Sequence, residues 1–259
     1  MGRENFYYRM GDAVFQTVSV QKNGLAVSSR PRIQFNGDWL PEMGFINSAL
    51  VQTLPEPDGF VFNLCDENIK YSDLFHCTRE KGGTLIRVCL SNDRKAHEVG
   101  FVTTGNHILK SGLKMGDTLL AKCEYGCMRV RKISGNVRFA HVARTKNAHT
   151  GEPIPLASLR GDWLSNIGFT PDTLVTVETK TGCITFTAHN KAVIYRDIVR
   201  SCRQNKMKLI QVSTHTGAPL LKVEGCAHNA GFRIGDMFAA EYDNGLIKLQ
   251  KFDPQKFGF

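Results

Sequence analysis

The chain has 259 residues, 42% of them hydrophobic and 22% charged, an ordinary globular composition with length enough for two cores of common size. No run of about 18 uncharged apolar residues occurs, and the N-terminal MGRENFYYRMGD has no apolar centre. A membrane span and a secretory leader are therefore not expected, and the cytoplasm is the expected compartment. Lys and Arg number 33 against 24 Asp and Glu, a net charge of +9. The excess is uneven: residues 12–135 carry +2 and residues 136–259 carry +6. Such a balance favours polyanionic partners, nucleic acid first, through phosphate contact and counterion release.

The eight cysteines are scattered, and Cys65, Cys89 and Cys202 sit in apolar runs, so reduced thiols are expected. Cys123 and Cys127 are the closest pair, and no second Cys/His pair at zinc-finger spacing follows them. Neither a metal nor any other cofactor is expected.

In chain order, a first strand (VFQTVSV) leads through a polar loop to a second (RIQF) and then to GDWLPEMGF at 37–45. In that phrase Asp38 is expected to cap one or two helical turns, Gly44 to end them in a left-handed conformation, and Phe45 to plug the core. A hairpin follows (SALVQTL, GFVFNLC) across Pro-Asp-Gly, and then a helix over ENIKYSDLFHCTREK. A second such series runs LIRVCL, EVGFV, GNHILKSGLKMGD, DTLLAKCEY and CMRVRKI.

The phrase returns as GDWLSNIGF at 161–169, 124 residues on and with six of nine positions identical. At that offset Phe15, Val18, Lys22, Asn23 and Pro31 fall on Phe139, Val142, Lys146, Asn147 and Pro155. Farther along, Tyr71, Asp73, Arg79 and Val88 fall on Tyr195, Asp197, Arg203 and Val212, a register read without a gap from about 13 to 88. The expected organisation is a tandem duplication, 12–135 and 136–259, each half holding two related units and one linking helix. The later units share only Gly112-Leu113-Lys114-Met115-Gly116-Asp117 against Gly231-Phe232-Arg233-Ile234-Gly235-Asp236.

Pro31, Gly37, Trp39, Leu40, Gly44 and Phe45, and again Pro155, Gly161, Trp163, Leu164, Gly168 and Phe169, form a pattern that resembles the SymE toxin domain of the SpoVT/AbrB/MazE swapped-hairpin superfamily. The resemblance implies a mainly β fold with short helices, in which two units interleave hairpins into a small barrel. Four units would make two AbrB-like β-barrels in tandem, with neighbouring units pairing because connections are short. Pairing of the first unit with the third is the alternative. Proteins of this kind are commonly DNA-binding regulators or antitoxins, while SymE-type proteins are toxins associated with RNA cleavage or nucleic-acid binding.

Trp39, Trp163, Phe45 and Phe169 are read as core anchors and Asp38 and Asp162 as helix caps. The candidate nucleic-acid contacts are two basic clusters. Arg129, Arg131, Lys132, Arg138, Arg144 and Lys146 run across the junction of the halves, partly alternating so that several share a face. Arg196, Arg200, Arg203, Lys206 and Lys208 lie on the second linking helix and its exit; the first helix has Ser72 and His76 in place of Arg196 and Arg200. Catalytic residues are not assigned. The eight histidines are dispersed; an endoribonuclease could use, for example, His141 with Arg144, or His215, but the sequence singles out none of them.

The leading expectation is a non-enzymatic nucleic-acid-binding protein, DNA or RNA, regulator- or SymE-toxin-like, with backbone contact by its basic second half. Two others stay open: a protein-binding inhibitor or assembly factor acting on a nucleoprotein complex, and an RNA-cleaving toxin. The chain is expected as a monomer with internal pseudo-symmetry or a homodimer, with no membrane partner.

Overall fold

The computed structural model describes residues 7–23, 30–90, 99–104, 108–109, 111–147, 150–189 and 194–259. The chain divides into two compact units, Met1–Ile133 and Ser134–Phe259. The first contains β1 (Tyr7–Met10), β2 (Ala13–Ser19), β3 (Gln21–Asn23), β4 (Arg30–Gly37), α1 (Trp39–Glu42), β5 (Leu50–Glu56), β6 (Gly59–Leu64), α2 (Tyr71–Glu80), β7 (Thr84–Arg87), β8 (Cys89–Leu90), β9 (Val99–Thr104), β10 (Thr118–Glu124) and β11 (Cys127–Lys132). The second contains β12 (Val137–His141), β13 (Ala143–Lys146), β14 (Pro153–Arg160), α3 (Trp163–Asn166), β15 (Leu174–Lys180), β16 (Cys183–Ala188), α4 (Tyr195–Gln204), β17 (Lys208–Gln211), β18 (Ser213–His215), β19 (Ala218–Glu224), α5 (Cys226–Asn229), β20 (Met237–Asp243), β21 (Leu246–Lys251) and a closing 3-10 turn, Pro254–Phe257. The protein is mainly β with short helices, and none of its described helices is long and apolar enough to cross a membrane.

Each unit has a long and a short antiparallel sheet. The long sheets run β1-β2-β10-β11-β6-β5-β7 and β12-β20-β21-β16-β15-β17, and the short ones β3-β4-β9-β8 and β13-β14-β19-β18. In the first unit the early strand β2 pairs with the late hairpin β10–β11, and the late strand β7 pairs with the early hairpin β5–β6. The two hairpins meet along β6 and β11. Pairing is therefore between neighbouring segments, within each half.

What sends each first strand from the long sheet into the short one is a buried valine: Val20, Val88, Val142 and Val212, none more than 2% exposed. Each valine's amide and carbonyl are held by the turn that precedes a hairpin of the other segment. Val20 N–H donates to Asp117 O at 3.0 Å and its carbonyl accepts from Gly116 at 2.9 Å, while Val88 exchanges the same two bonds with Ala49 and Ser48. Val142 does so with Asp236 and Gly235, and Val212 with Thr173 and Asp172. A buried peptide group left without a partner would cost about 1–3 kcal/mol, so these bends need the turns that receive them.

The bend also explains why no barrel closes. Among the described residues none of the four sheets returns to its own first strand, because the bent strand leaves the long ladder at the valine and continues in another sheet. Instead of the expected closed barrels, each unit packs two open sheets over one core. In the first, Val14, Ile33, Phe35, Val51, Phe60, Phe62, Leu119 and Val130 join from both sheets.

The offset between the units is not constant. β5, β6, α2 and β7 recur as β15, β16, α4 and β17 at 124, but Val20 corresponds to Val142 through its turn contacts, an offset of 122. Lys22 pairs with Pro31, and Arg144, not Lys146, pairs with Pro155. The gapless register is thus corrected over the first strand: the connection from there to Pro155 is two residues longer in the second unit. A loop absorbs such a length change at little entropic cost, whereas a strand cannot slip without turning its faces over.

The Gly-Asp-Trp phrase folds as a helical turn with one departure from expectation. Asp38 and Asp162 occupy the cap position but make no side-chain cap bond, because both have helical backbone angles and not the extended ones that aim the carboxylate at the turn. Gly44 (φ 88°) and Gly168 (φ 90°) do end the turns in the left-handed region, and the next residue donates back, Phe45 to Leu40 O and Phe169 to Leu164 O, both at 2.9 Å. Phe45, Phe169 and Trp39 are fully buried. Trp163 also packs against the core of its unit but is only partly buried, its Nε1 donating to Arg160 O at 3.1 Å.

Candidate nucleic-acid interface

The junction cluster does not lie on one strand. Arg129, Arg131 and Lys132 are on β11 of the first unit, Arg138 on β12 and Arg144 and Lys146 on β13 of the second. Along β11, Met128 and Val130 are buried, so Arg129 and Arg131 share the outward face and Lys132 takes the other. Acidic groups engage this group: Arg129 Nε is 3.5 Å from Glu56 Oε2, and Lys132 Nζ is 3.0 Å from Asp117 Oδ2. Arg144 and Lys146 are exposed on the edge strand of a short sheet. Arg138 places its guanidinium 4.8 Å from the centre of the Trp163 ring.

The second cluster is different in character. On α4, Ile198 and Cys202 point to the interior while Arg196, Arg200 and Arg203 are all exposed, at the i, i+4 and i+7 spacing that lines one face. Asp197 is the acidic residue beside them in the first turn. Among the described residues none of Arg196, Arg200, Arg203, Lys206 and Lys208 forms an ion pair. In the first unit, α2 presents instead Tyr71 stacked on Phe75 at 6.2 Å, together with His76 and Glu80.

Past the helix, Lys206 and Lys208 line a groove of about 960 Å³ with Val177, Thr179, Lys180, Thr181, Met207, Glu224, Gly225, Cys226 and Asn229. Three lysines and two threonine hydroxyls in one open concavity provide positive charge and hydroxyl donors, a set suited to phosphate oxygens. Two carboxylates temper it. Glu178 Oε1 lies 2.8 Å from Lys180 Nζ and raises the Lys180 pKa, while Glu224 is occupied by Lys222 at 2.7 Å.

The same place in the first unit has no such charge. At the 124 offset Lys180, Lys206 and Lys208 correspond to Glu56, Gly82 and Thr84. The middle position matters most. Lys206 (φ 54°) and Gly82 (φ 71°) are both left-handed residues closing a helix, with Met207 donating to Cys202 O and Gly83 to Thr78 O, each at 2.9 Å. Glycine takes this conformation freely, whereas a residue with a Cβ pays about 1 kcal/mol there. The second unit keeps a lysine where the local fold prefers glycine.

Lys180 escaped the sequence reading, although comparison with Glu56 at the 124 offset would have found it. The aromatic partner of Trp163, Tyr242, was missed for a different reason: it corresponds to Cys123 in the other hairpin, so no likeness marks it. Its ring lies 4.8 Å from Trp163. Of the histidines, His141 is half-buried and its pKa is lowered by that burial, the bond its ring donates to the Gly235 backbone opposing the shift. His215 is exposed on β18, His189 contacts Thr176 Oγ1 at 3.2 Å, and His97, His107 and His149 lie outside the described residues. Among the described residues no three His, Cys, Asp or Glu side chains gather as a metal site.

Residues 137–188 match the family model described as toxin SymE, type I toxin-antitoxin system. The match covers β12 through β16 and includes Trp163 and Lys180; it ends before α4, Lys206 and Lys208. No curated protein and no solved structure matches the chain.

Proposed function

We propose that the chain is a SymE-like nucleic-acid-binding protein that contacts the phosphate backbone with its second unit. The SymE-toxin-like segment gives it a toxin–antitoxin-related setting. The contact surface is the arginine face of α4 (Arg196, Arg200, Arg203) and the groove of Lys180, Lys206 and Lys208. The observation that carries the reading is Lys206: a lysine held in a left-handed conformation, inside a basic groove, where the other unit has glycine. Strain of this kind persists where a side chain is needed.

The strand order supports a fold-level reading as well. Each early strand lies against the other segment's hairpin, the exchange that defines a swapped-hairpin unit, and the matching strand orders support a tandem duplication of 12–135 and 136–259. In this reading one unit kept the scaffold and the other acquired the charges. Arg129 and Lys132, which face carboxylates, contribute less than α4 and the groove.

The test is binding of single-stranded RNA and of duplex DNA across a salt series. Retardation at low salt that weakens steeply as salt rises is expected. Absence of binding by micromolar protein at low salt sinks the reading. The match to a toxin model supports a toxin as a further reading, RNA cleavage being the activity that the resemblance implies, and labelled RNA left intact by purified protein counts against it.

A further inference from the structure

Among the described residues strand β1 has no counterpart in the second unit. In the first it pairs with β2 in the register Tyr7 to Gln16, Tyr8 to Phe15, Arg9 to Val14 and Met10 to Ala13, making β2 an inner strand. It also lies over the Trp39 turn: the Tyr7 ring is 6.1 Å from Trp39, burial and the nearby Asp38 carboxylate raise the Tyr7 pKa, and Arg9 pairs with Glu42. Under that cover Gln16 and Trp39 are buried.

In the second unit the corresponding strand, β12, ends its sheet. Through the pairing with β20, Arg138 stands where Gln16 stands opposite β10, and it is exposed. The turn below repeats as Gly161-Asp162-Trp163; Asp162 is exposed as Asp38 is, but the indole, which packs on the core, donates its Nε1 to Arg160 O and is flanked by Arg138 and Tyr242, is only partly buried where Trp39 is fully buried. The other face of β12 is already occupied, Phe139 packing edge-on against Phe257 at 4.9 Å. Among the described residues no strand pairs with the outer edge of β12, and the Trp163 ring keeps a part-exposed face, where the first unit shows how such an edge is filled. An edge strand presents unpaired amides and carbonyls to any strand that can align with it.

We propose that the β12 edge accepts a tyrosine-bearing extended segment of a partner protein. The segment adds antiparallel as β1 does to β2, laying its tyrosine ring on Trp163 and donating its hydroxyl to Asp162. Main-chain bonds along β12 supply the affinity and the Trp163 pocket supplies the selectivity. Arg138 is a long exposed side chain that turns outward when the ring arrives, and there it and Arg160 favour an acidic residue on the guest. A nucleobase would stack on the indole but leave the β12 amides unanswered, which is why a peptide fits this place better.

The experiment uses the full chain and a fluorescein-labelled peptide NFYYRMGD, the sequence of residues 5–12. Saturable anisotropy is expected, weakened about tenfold or more when alanine replaces the residue at the Tyr7 position or when the protein carries Asp162→Ala. Amide hydrogen exchange should slow over 135–138, the residues that match 13–16 opposite β1, and Arg200→Glu should leave peptide binding unchanged, which separates this site from the nucleic-acid surface. Four results overturn the proposal: no saturation at millimolar peptide, equal binding of a scrambled peptide, displacement of the peptide by a short poly(U) strand, and a protein dimer that the peptide dissociates. The third assigns the platform to nucleobases and the fourth assigns the edge to a second copy of the chain.

Discussion

Lys132 Nζ lies 3.0 Å from Asp117 Oδ2, and the same oxygen accepts the Lys114 amide at 2.7 Å. Lys251 and Asp236 repeat the arrangement at 2.8 Å, with the Arg233 amide also at 2.8 Å. The carboxylate fixes the turn whose backbone receives the bent strand at Val20 or Val142. Asp117→Ala is expected to cost the first unit about 1 kcal/mol, since the Lys114 amide loses its charged acceptor and Lys132 its ion pair. Chemical denaturation of the variant checks it, and an unchanged midpoint would show that the turn holds without its carboxylate.

Gly37 and Gly161 respond differently to the same substitution. A Cβ at Gly37 would stand 2.4 Å from Trp39 Nε1, inside contact distance of a fully buried ring, whereas at Gly161 the nearest atom, Trp163 Cδ1, is 3.0 Å away on a ring that can shift toward solvent. Gly37→Ala should destabilise its unit by about 2–3 kcal/mol and Gly161→Ala by roughly half that. Thermal unfolding of the two variants side by side decides the order.

Lys206→Gly separates folding from binding. Relief of the left-handed lysine should stabilise the second unit by about 0.5–1 kcal/mol while removing a phosphate contact, so the salt slope of binding falls by about one unit. A variant that gains stability and binds as before would place nucleic acid elsewhere. A charge-conserving Lys206→Arg should keep the slope and show no gain in stability.

Burial holds the His141 pKa below its usual 6.5, so the folded state resists protonation. As pH falls below 6.5 the unfolded chain takes up the proton first, and stability present above that pH is lost on the way down. Stability of the second unit between pH 7 and pH 5 should therefore decline, and His141→Gln should flatten the decline. A slope equal in both proteins rules out His141 as its source.

The two tryptophans offer a direct optical check. Trp39 is fully buried beneath Tyr7, and Trp163 is partly open. Acrylamide should quench the Trp39→Phe variant, which retains Trp163, more strongly than the Trp163→Phe variant. Equal quenching would mean that the two turns are covered alike and would remove the basis for an open β12 edge.

The sequence by itself determined the hairpins, the two linking helices and most of the strands, but not the short β1 and β3. Alternation, glycine turns and the spacing of Ile198 and Cys202 are local properties that follow from backbone geometry. It also determined that Arg196, Arg200 and Arg203 share a helix face. It did not show that the first strands align at an offset of 122, because only the bonds of Val20 and Val142 to distant turns define that register. Nor did it distinguish Lys132, engaged by Asp117, from Lys208, or Trp39, roofed by Tyr7, from Trp163. Gly-Asp-Trp-Leu is the same in both units, and the neighbours that differ, Asn36 against Arg160 and Pro41 to Met43 against Ser165 to Ile167, do not by themselves say which turn is covered. Tertiary structure decided which copy is sealed and which is open, because burial is set by whichever remote strand or side chain comes to lie on top.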